Sequence, residues 1–127
     1  MGDRSNVVVQ DSDGGRVYLY SHWAGSEILK SAIKGLESGR VDDPAYLARV
    51  IFSDMIKDDL DSETGYGISA TIQDNDGYPI LVIDENGTAW FEGEGKNKLT
   101  SPISAGEMLK TLKENETFSK LSDSLGI

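Results

Sequence analysis

Short apolar runs separated by turn residues predict five β-strands along the chain. The first two flank a turn at 11–15 and predict a hairpin. The run at 65–73 alternates apolar and polar residues, which is typical of a half-buried strand, whereas 78–83 is apolar almost throughout, which favours a central position in a sheet. A turn containing Asn86 and Gly87 joins the last pair, so the chain over 65–92 predicts a three-stranded meander. The predicted strands are 6–10, 16–20, 65–73, 78–83 and 88–92.

Apolar residues at helical spacing predict two helices after the hairpin and a third near the C-terminal end. Asp43 is placed to cap the second helix, with Pro44 at its first position. Ser104 and Glu107 have the form of a capping box and begin the third helix. Gly35 lies inside the first helix, where it either weakens the pattern or permits close approach of another backbone. The first two predicted helices span 26–37 and 44–57.

The last residues carry a weaker pattern. Phe118, Leu121 and Leu125 are spaced so that one more helical turn would dock on the domain. The alternative is a loosely attached tail over 116–127.

The predicted order of elements is β-β-α-α-β-β-β-α. Strands joined by short turns favour an α+β fold with a mainly antiparallel sheet and with the helices packed on one side. The length of 127 residues fits a single domain, 1–127. The second helix is apolar on most sides, which indicates either a central core helix or a subunit interface. We therefore expect a homo-oligomer.

Charge narrows the classes of partner. The net charge is -10, from 12 basic and 22 acidic residues. Such a balance argues against binding to a DNA or RNA polymer and against an anionic membrane surface. It does not exclude one small nucleotide, because a few local donors can outweigh a distant, screened field. No apolar run approaches the roughly 20 residues of a membrane span, and a cytoplasmic location is expected.

The inventory of reactive side chains is poor. There is no cysteine, and His22 is the one histidine. Clustered oxygens at 57–64 suggest a cation site, but they lack the spacing of a calcium loop, so neither a metal site nor a cofactor is predicted. Ser21 and His22 are adjacent, yet adjacency does not make a catalytic triad. Binding without catalysis is therefore expected, with a small hydrolase that uses His22 as an alternative.

The stretch between the second strand and the first helix is the strongest candidate for a binding site. Tyr20, His22 and Trp23 offer rings, and Ser21 offers a hydroxyl. Gly25 and Ser26 fall where a helix start presents free N–H groups, which favour an anion. This combination suits a planar, anionic ligand such as a nucleotide. A purely structural role, with the tryptophan in the core and the serine as a helix cap, is the alternative.

Further candidates come from other parts of the chain. Arg4 and Arg49 are candidates for phosphate contacts, and Tyr66 is a candidate for stacking on a base. Ser69 belongs to the small, polar face of the strand at 65–73, which is suited to line a binding surface. The structural alternative for Arg49 is an ion pair with Asp43 or Asp54, and that for Tyr66 is a position in the core.

Four segments of the chain stand out as a set: MGDRSNVVV (1–9), YLYSHWAG (18–25), DDPAYLAR (42–49) and GYGIS (65–69). Together they resemble a family of small proteins encoded by bacteriophages, and the resemblance covers about residues 1–92. Small phage proteins of this kind are similar in size and α+β build to the anti-defence "sponges", which usually act as oligomers. These bind the cyclic nucleotide signals of anti-phage immunity, including the CBASS pathway, without cleaving them.

The resemblance implies a phage immune-evasion protein, and the residue inventory matches binding without catalysis. It would sequester a small cyclic nucleotide in the infected bacterial cell. The alternative from another class is an inhibitor that binds a host protein through the acidic surface or the second helix.

Overall fold

A sheet with helices on one face organises the chain. The computed structural model describes residues 2–127; Met1, the first residue of the resembling segment 1–9, lies outside them. Within the described range, six strands form one sheet, and a 3-10 turn at Gly25–Glu27 precedes the first of four α-helices. The strands are β1 Ser5–Gln10, β2 Arg16–Ser21, β3 Tyr66–Ser69, β4 Ile80–Asp84, β5 Thr88–Glu92 and β6 Ile103–Ser104. The helices are α1 Ile28–Glu37, α2 Pro44–Ile56, α3 Ala105–Glu114 and α4 Phe118–Leu125.

The strands lie in the order β3-β2-β1-β4-β5-β6. All neighbouring pairs are antiparallel except β1 and β4, which run parallel with Val7 opposite Leu81. The predicted α+β class with a mainly antiparallel sheet is confirmed. The central position of the fourth strand is confirmed too, since all its residues are buried.

The predicted meander over 65–92 is wrong, because β3 pairs with β2 and lies at the edge of the sheet. The physical reason lies in the two faces of each strand. The fourth strand is apolar on both faces, so it gains most between two neighbours, β1 and β5. The third strand has one small, polar face, and Ile68 on its other face is 61% exposed, which suits an edge. The two-residue β6 was too short to predict.

The main core lies between the sheet and the helices. Strand residues such as Val7, Leu19 and Phe91 meet Leu29 of α1 and Leu47 of α2 there. The expectation of helices on one side of the sheet is thereby confirmed.

The caps and the interior glycine of the helices have local explanations. Asp43 accepts the N–H of Tyr46, and Ser104 accepts the N–H of Glu107, as predicted for both caps. A Cβ at Gly35 would collide with the Ile51 side chain, so this glycine permits close contact of α1 with a side chain of α2, not with its backbone.

The opposite face of the sheet carries a smaller core. Val8, Tyr18, Val82 and Trp90 are buried there without a covering helix. Polar side chains complete the cover. Arg16 reaches both carboxylate oxygens of Glu92, at 2.9 and 2.7 Å, and the indole Nε1 of Trp90 donates to the same carboxylate at 2.7 Å. The Lys98 ammonium lies 4.8 Å from the centre of the Trp90 ring.

The C-terminal residues form a docked helix, which is the first of the two alternatives considered. The Phe118 ring stacks on Tyr78 with centroids 4.5 Å apart, and Leu121 is completely buried. Thr117 caps the start of α4, and Gly126 ends it with φ 71°, the left-handed conformation that glycine adopts readily.

Replacing Leu121 with alanine is expected to lower the free energy of unfolding by about 2–5 kcal/mol, because it opens a cavity in the main core. Urea denaturation measures the change. Lys120→Ala is the matched control on an exposed position of the same helix and should change stability by less than about 0.5 kcal/mol. A loss for Leu121→Ala no larger than that of the control would contradict the docked position of α4.

Candidate functional site: an aromatic cleft beside the first helix

Trp23 is the centre of the candidate site. It follows the end of β2, and 61% of its surface is exposed. The His22 ring meets it edge-on, with centroids 4.2 Å apart and an interplanar angle of 76°. The hydroxyl of Tyr20 lies 2.6 Å from Nδ1 of His22, so the imidazole is held by a hydrogen bond. We call the surrounding depression of about 490 Å³ the aromatic cleft; its lining residues are Tyr20, His22, Trp23, Thr64, Gly65 and Tyr66.

The backbone at Gly65 fixes the floor of this cleft. The N–H of His22 donates to the Gly65 carbonyl oxygen at 2.8 Å, which extends the pairing of β2 with β3. Gly65 has φ 101°, which a residue with a side chain rarely adopts. A Cβ there would also lie 3.4 Å from Cδ1 of Trp23. Glycine at this position therefore holds the two strand ends together beneath the exposed indole.

The helix start beside the cleft is already occupied by a carboxylate of the chain. The N–H of Gly25 donates to the Asp3 carbonyl oxygen at 2.7 Å. The N–H and hydroxyl of Ser26 donate to Oδ2 of Asp3, at 3.0 and 2.8 Å. The expectation of free N–H groups at this position is corrected: the Gly25 N–H is bound by the backbone carbonyl of Asp3, and the Ser26 N–H by its carboxylate. Ser26 belongs to the 3-10 turn and is not the cap of α1.

A short hydrogen bond fixes Asp3 further. The Tyr78 hydroxyl donates to Oδ1 of Asp3 at 2.5 Å. This hydrogen bond is the largest of the effects that raise the pKa of Tyr78 to about 12. Burial raises the pKa of Asp3, but hydrogen bonds from Tyr78 and Ser26 outweigh it and hold that pKa below its usual value. The carboxylate therefore stays charged at neutral pH and keeps the N–H and hydroxyl of Ser26 engaged.

Arg4 is committed to the loop before β4. Its backbone N–H and its guanidinium bind the Asp76 carboxylate, at 2.8 and 2.9 Å, and the guanidinium also lies 3.4 Å from Asp74. The hydrogen bonds with Asp76, and then its charge, raise the pKa of Arg4. Asn6 donates to the carbonyl oxygens of Gln73 and Asp74. This part of the resembling segment 1–9 thus holds the 73–76 loop in place.

The structure separates the remaining candidates from the cleft. Ser21 is buried, and its hydroxyl accepts the N–H of Ala24 at 3.2 Å. Ser69 lies opposite Tyr18, at the far end of β3 from the cleft. Arg49 is an exposed residue of α2, and no ion pair joins it to Asp43 or Asp54 within the described residues. Of the ten predicted site residues, the cleft brings together four: Tyr20, His22, Trp23 and Tyr66.

A second recess, of about 160 Å³, shares Tyr66 with the cleft. Lys30 of α1 and Lys57 just after α2 line it, together with four acidic residues, Glu27, Asp54, Asp58 and Asp59. Burial, and then the charge of Asp59, raises the pKa of Tyr66, so the phenol stays neutral. Sequence reasoning missed these two lysines. Each belongs to a different helix, and no local pattern indicates that they converge.

The chemistry that these groups offer is stacking and hydrogen bonding. The imidazole of His22 faces a phenol and an indole, and its Nδ1 is bonded to Tyr20. Among residues 2–127, no three His, Asp or Glu side chains are grouped so that they could hold a metal ion. No helix of that range is long and apolar enough to cross a membrane.

No family model, curated protein or solved structure matches this chain. The resemblance to the phage family therefore stays a prediction.

Proposed function

We propose that this protein binds a small cyclic nucleotide of bacterial anti-phage defence in the aromatic cleft and sequesters it without cleaving it. The single observation that carries the proposal is the exposed indole of Trp23, held edge-on by His22 at the mouth of the cleft. An exposed indole that is fixed by its neighbours is ready to stack on a nucleobase, and such stacking contributes about 1–3 kcal/mol per base. Tyr20 and Tyr66 provide rings on the walls of the same cleft.

The phosphate would be bound by different groups from those predicted. Arg4 and the amides of Gly25 and Ser26 are engaged, so the proposal assigns the phosphate to Lys30 and Lys57, which line the recess that shares Tyr66 with the cleft. Lys30 is paired with Glu27 at 3.4 Å and Lys57 with Asp54 at 3.3 Å, both as exposed lysines. Both members of the Lys30–Glu27 pair are exposed, and exposed pairs contribute little to stability, so the Lys30 ammonium can turn to a phosphate at small cost. Asp54 is mostly buried, so the Lys57 ammonium is held more firmly. Because four carboxylates, Glu27, Asp54, Asp58 and Asp59, line the same recess, this contact should be weak and salt-dependent.

In this proposal, the protein acts by mass action in the cytoplasm of the infected cell. Sequestration needs no nucleophile, because the protein has only to hold the ligand. A sequestering protein lowers the free concentration of a signal in proportion to its own concentration and affinity.

We also propose that the protein is a homo-oligomer that associates through α2. Tyr46 on this helix is 56% exposed, and Phe52 is only half-buried in the single chain. Light scattering at micromolar concentration should report a dimer or a larger species. Tyr46→Glu, at an exposed position, should dissociate it without unfolding the chain; a monomeric parent protein would contradict the proposed assembly.

Calorimetry with a panel of cyclic dinucleotides, cyclic trinucleotides and cyclic ADP-ribose-type molecules tests the nucleotide proposal. At least one member should bind with Kd below about 100 μM, which corresponds to roughly 5.5 kcal/mol of binding free energy. Mass spectrometry of the recovered ligand should show it intact. Failure of every member to bind would refute the proposal, and recovery of a cleaved ligand would replace it with the hydrolase alternative.

A second candidate function, inhibition of a host protein, is favoured by a separate observation. Leu60, at 71% exposure, and Ile68, at 61%, lie in an acidic segment and on the adjacent edge strand. Exposed apolar side chains beside charged ones are common at protein interaction sites.

A further inference from the structure

The third strand is an open edge of the sheet. It pairs with β2 on one side, and no other strand of the described chain lies on its other side. In an antiparallel pair, residues alternate between those that bond their neighbour and those whose N–H and C=O point away from it. The hydrogen bond from His22 N–H to the Gly65 carbonyl sets this alternation. The backbone groups of Tyr66 and Ile68 therefore point outward.

This edge lacks the usual protection. Edge strands are commonly blocked by lysine, proline, a bulge or a covering loop, because their free N–H and C=O groups can recruit another chain. The strand Tyr66–Ser69 contains neither proline nor charge, and Ile68 is largely exposed. The opposite edge strand, Ile103–Ser104, has only two residues and offers much less backbone.

An acidic segment leads into the open edge. Residues 58–63 include Asp58, Asp59, Asp61 and Glu63, all exposed and with no basic residue between them. A Cβ at Gly65 would lie 3.6 Å from Oδ2 of Asp59, which places this carboxylate at the start of β3. The edge therefore combines free backbone groups, an exposed isoleucine and a negative field.

We propose that β3 is a docking strand for an extended segment of a partner protein that is rich in lysine or arginine and pairs with β3 as an additional strand. The outward N–H and C=O groups of Tyr66 and Ile68 would supply the hydrogen bonds of this β-augmentation. Basic side chains of the partner would lie beside the acidic segment, and an apolar one would cover Ile68. Charge complementarity selects this occupant over a second copy at this edge, because residues 58–95 contain neither lysine nor arginine, so β3 and its flanking segments in a second copy would bring no basic side chain to the acidic segment.

The docking strand uses backbone groups, whereas the nucleotide proposal depends on the rings of the aromatic cleft. Each can therefore fail while the other stands.

The probe is a fluorescent nine-residue peptide of alternating lysine and valine, titrated with the full chain and read by anisotropy. It should bind, and its affinity should fall as salt is raised. A peptide of alternating glutamate and valine should not bind. The lysine peptide with N-methylated backbone amides keeps its charge and side chains but loses its N–H donors, so its affinity should fall at least about tenfold.

Ile68→Pro tests the same contact from the side of the protein. Because the N–H of Ile68 points outward, proline removes a donor for the partner and leaves the ladder with β2 intact. Peptide affinity should fall at least about tenfold, whereas Ile68→Val should retain it. If Ile68→Pro fails to fold, the N-methylated peptide decides.

Three results would overturn the proposal. They are no binding of the lysine peptide, equal binding of the glutamate peptide, and undiminished binding of the N-methylated peptide. A parent protein that is a dimer and becomes a monomer on Ile68→Pro, with no peptide binding, would assign the edge to a second copy instead.

Discussion

Replacing Arg16 with leucine is expected to lower the free energy of unfolding by about 3–5 kcal/mol. The substitution leaves the Glu92 carboxylate buried on the open face of the sheet without its cation. Removing one partner of a buried pair is costly because the remaining charge has lost its solvation and gained nothing in return. Urea denaturation measures the loss.

The double variant Arg16→Leu/Glu92→Gln is the control, since it removes both charges and lets the glutamine keep the indole of Trp90 as donor. It should recover most of the lost stability, because replacing both partners of a buried pair is often close to neutral. A loss below about 1 kcal/mol for Arg16→Leu alone would contradict the structural role of the pair.

The same pair gives a defined pH dependence. Burial raises the pKa of Glu92, but hydrogen bonds from Arg16 and Trp90 outweigh this effect and hold the pKa below its ordinary value. The contribution of Glu92 to stability is therefore fully present above its unfolded pKa, about 4.3, and is lost as the pH falls through the lower folded value. In Arg16→Leu, the hydrogen bonds from Arg16 that lower the pKa of Glu92 are lost, so burial raises this pKa with only Trp90 and Lys98 to oppose it. The stability difference between parent and variant should therefore shrink on acidification.

Replacing Trp23 with alanine is expected to weaken cyclic nucleotide binding by about 10- to 100-fold, because it removes the exposed stacking surface of the cleft. Calorimetry with the member of the panel that binds the parent protein measures the effect. The fold itself should be unaffected: a side chain that is 61% exposed adds little to the core, so stability should change by less than about 0.5 kcal/mol.

Leu99→Ala is the control for Trp23→Ala. This leucine is a large apolar residue that is 37% exposed, and it lines neither the cleft nor the proposed interface on α2. Binding should therefore be retained. Equal losses for both variants, or none for Trp23→Ala, would show that the ligand does not stack in the aromatic cleft.

Local patterns predicted the local structure of the chain. The hairpin of β1 and β2, the caps at Asp43 and Ser104 and the apolar stripe of α1 each depend on residues a few positions apart. Strand pairing across the sheet depends instead on residues that are far apart in the chain. Nothing within β3 indicates that its partner is β2, some 45 residues earlier in the chain, so the meander was predicted instead.

Contacts between distant residues also explain why only part of the candidate site could be predicted. The exposed ring of Trp23 and the half-buried ring of His22 were predictable as surface features because both residues lie in a short turn after a strand. The engagement of Ser26 by Asp3 spans 23 residues, and that of Arg4 by Asp76 spans 72. Donors that look free in a local window are satisfied by distant acids in the fold. A sequence with 22 acidic residues makes such capture of a cation or an N–H group common.

Two tryptophans in contrasting positions allow the most direct test of the aromatic cleft. In a ¹H–¹⁵N spectrum recorded during titration with the cyclic nucleotide panel, the indole N–H of exposed Trp23 and the amide of Gly65 should shift and saturate together. The indole N–H of Trp90, which donates to Glu92 on the other face of the sheet, should stay in place. If every member of the panel leaves the Trp23 signal unchanged at millimolar concentration, the cleft is not a nucleotide-binding site.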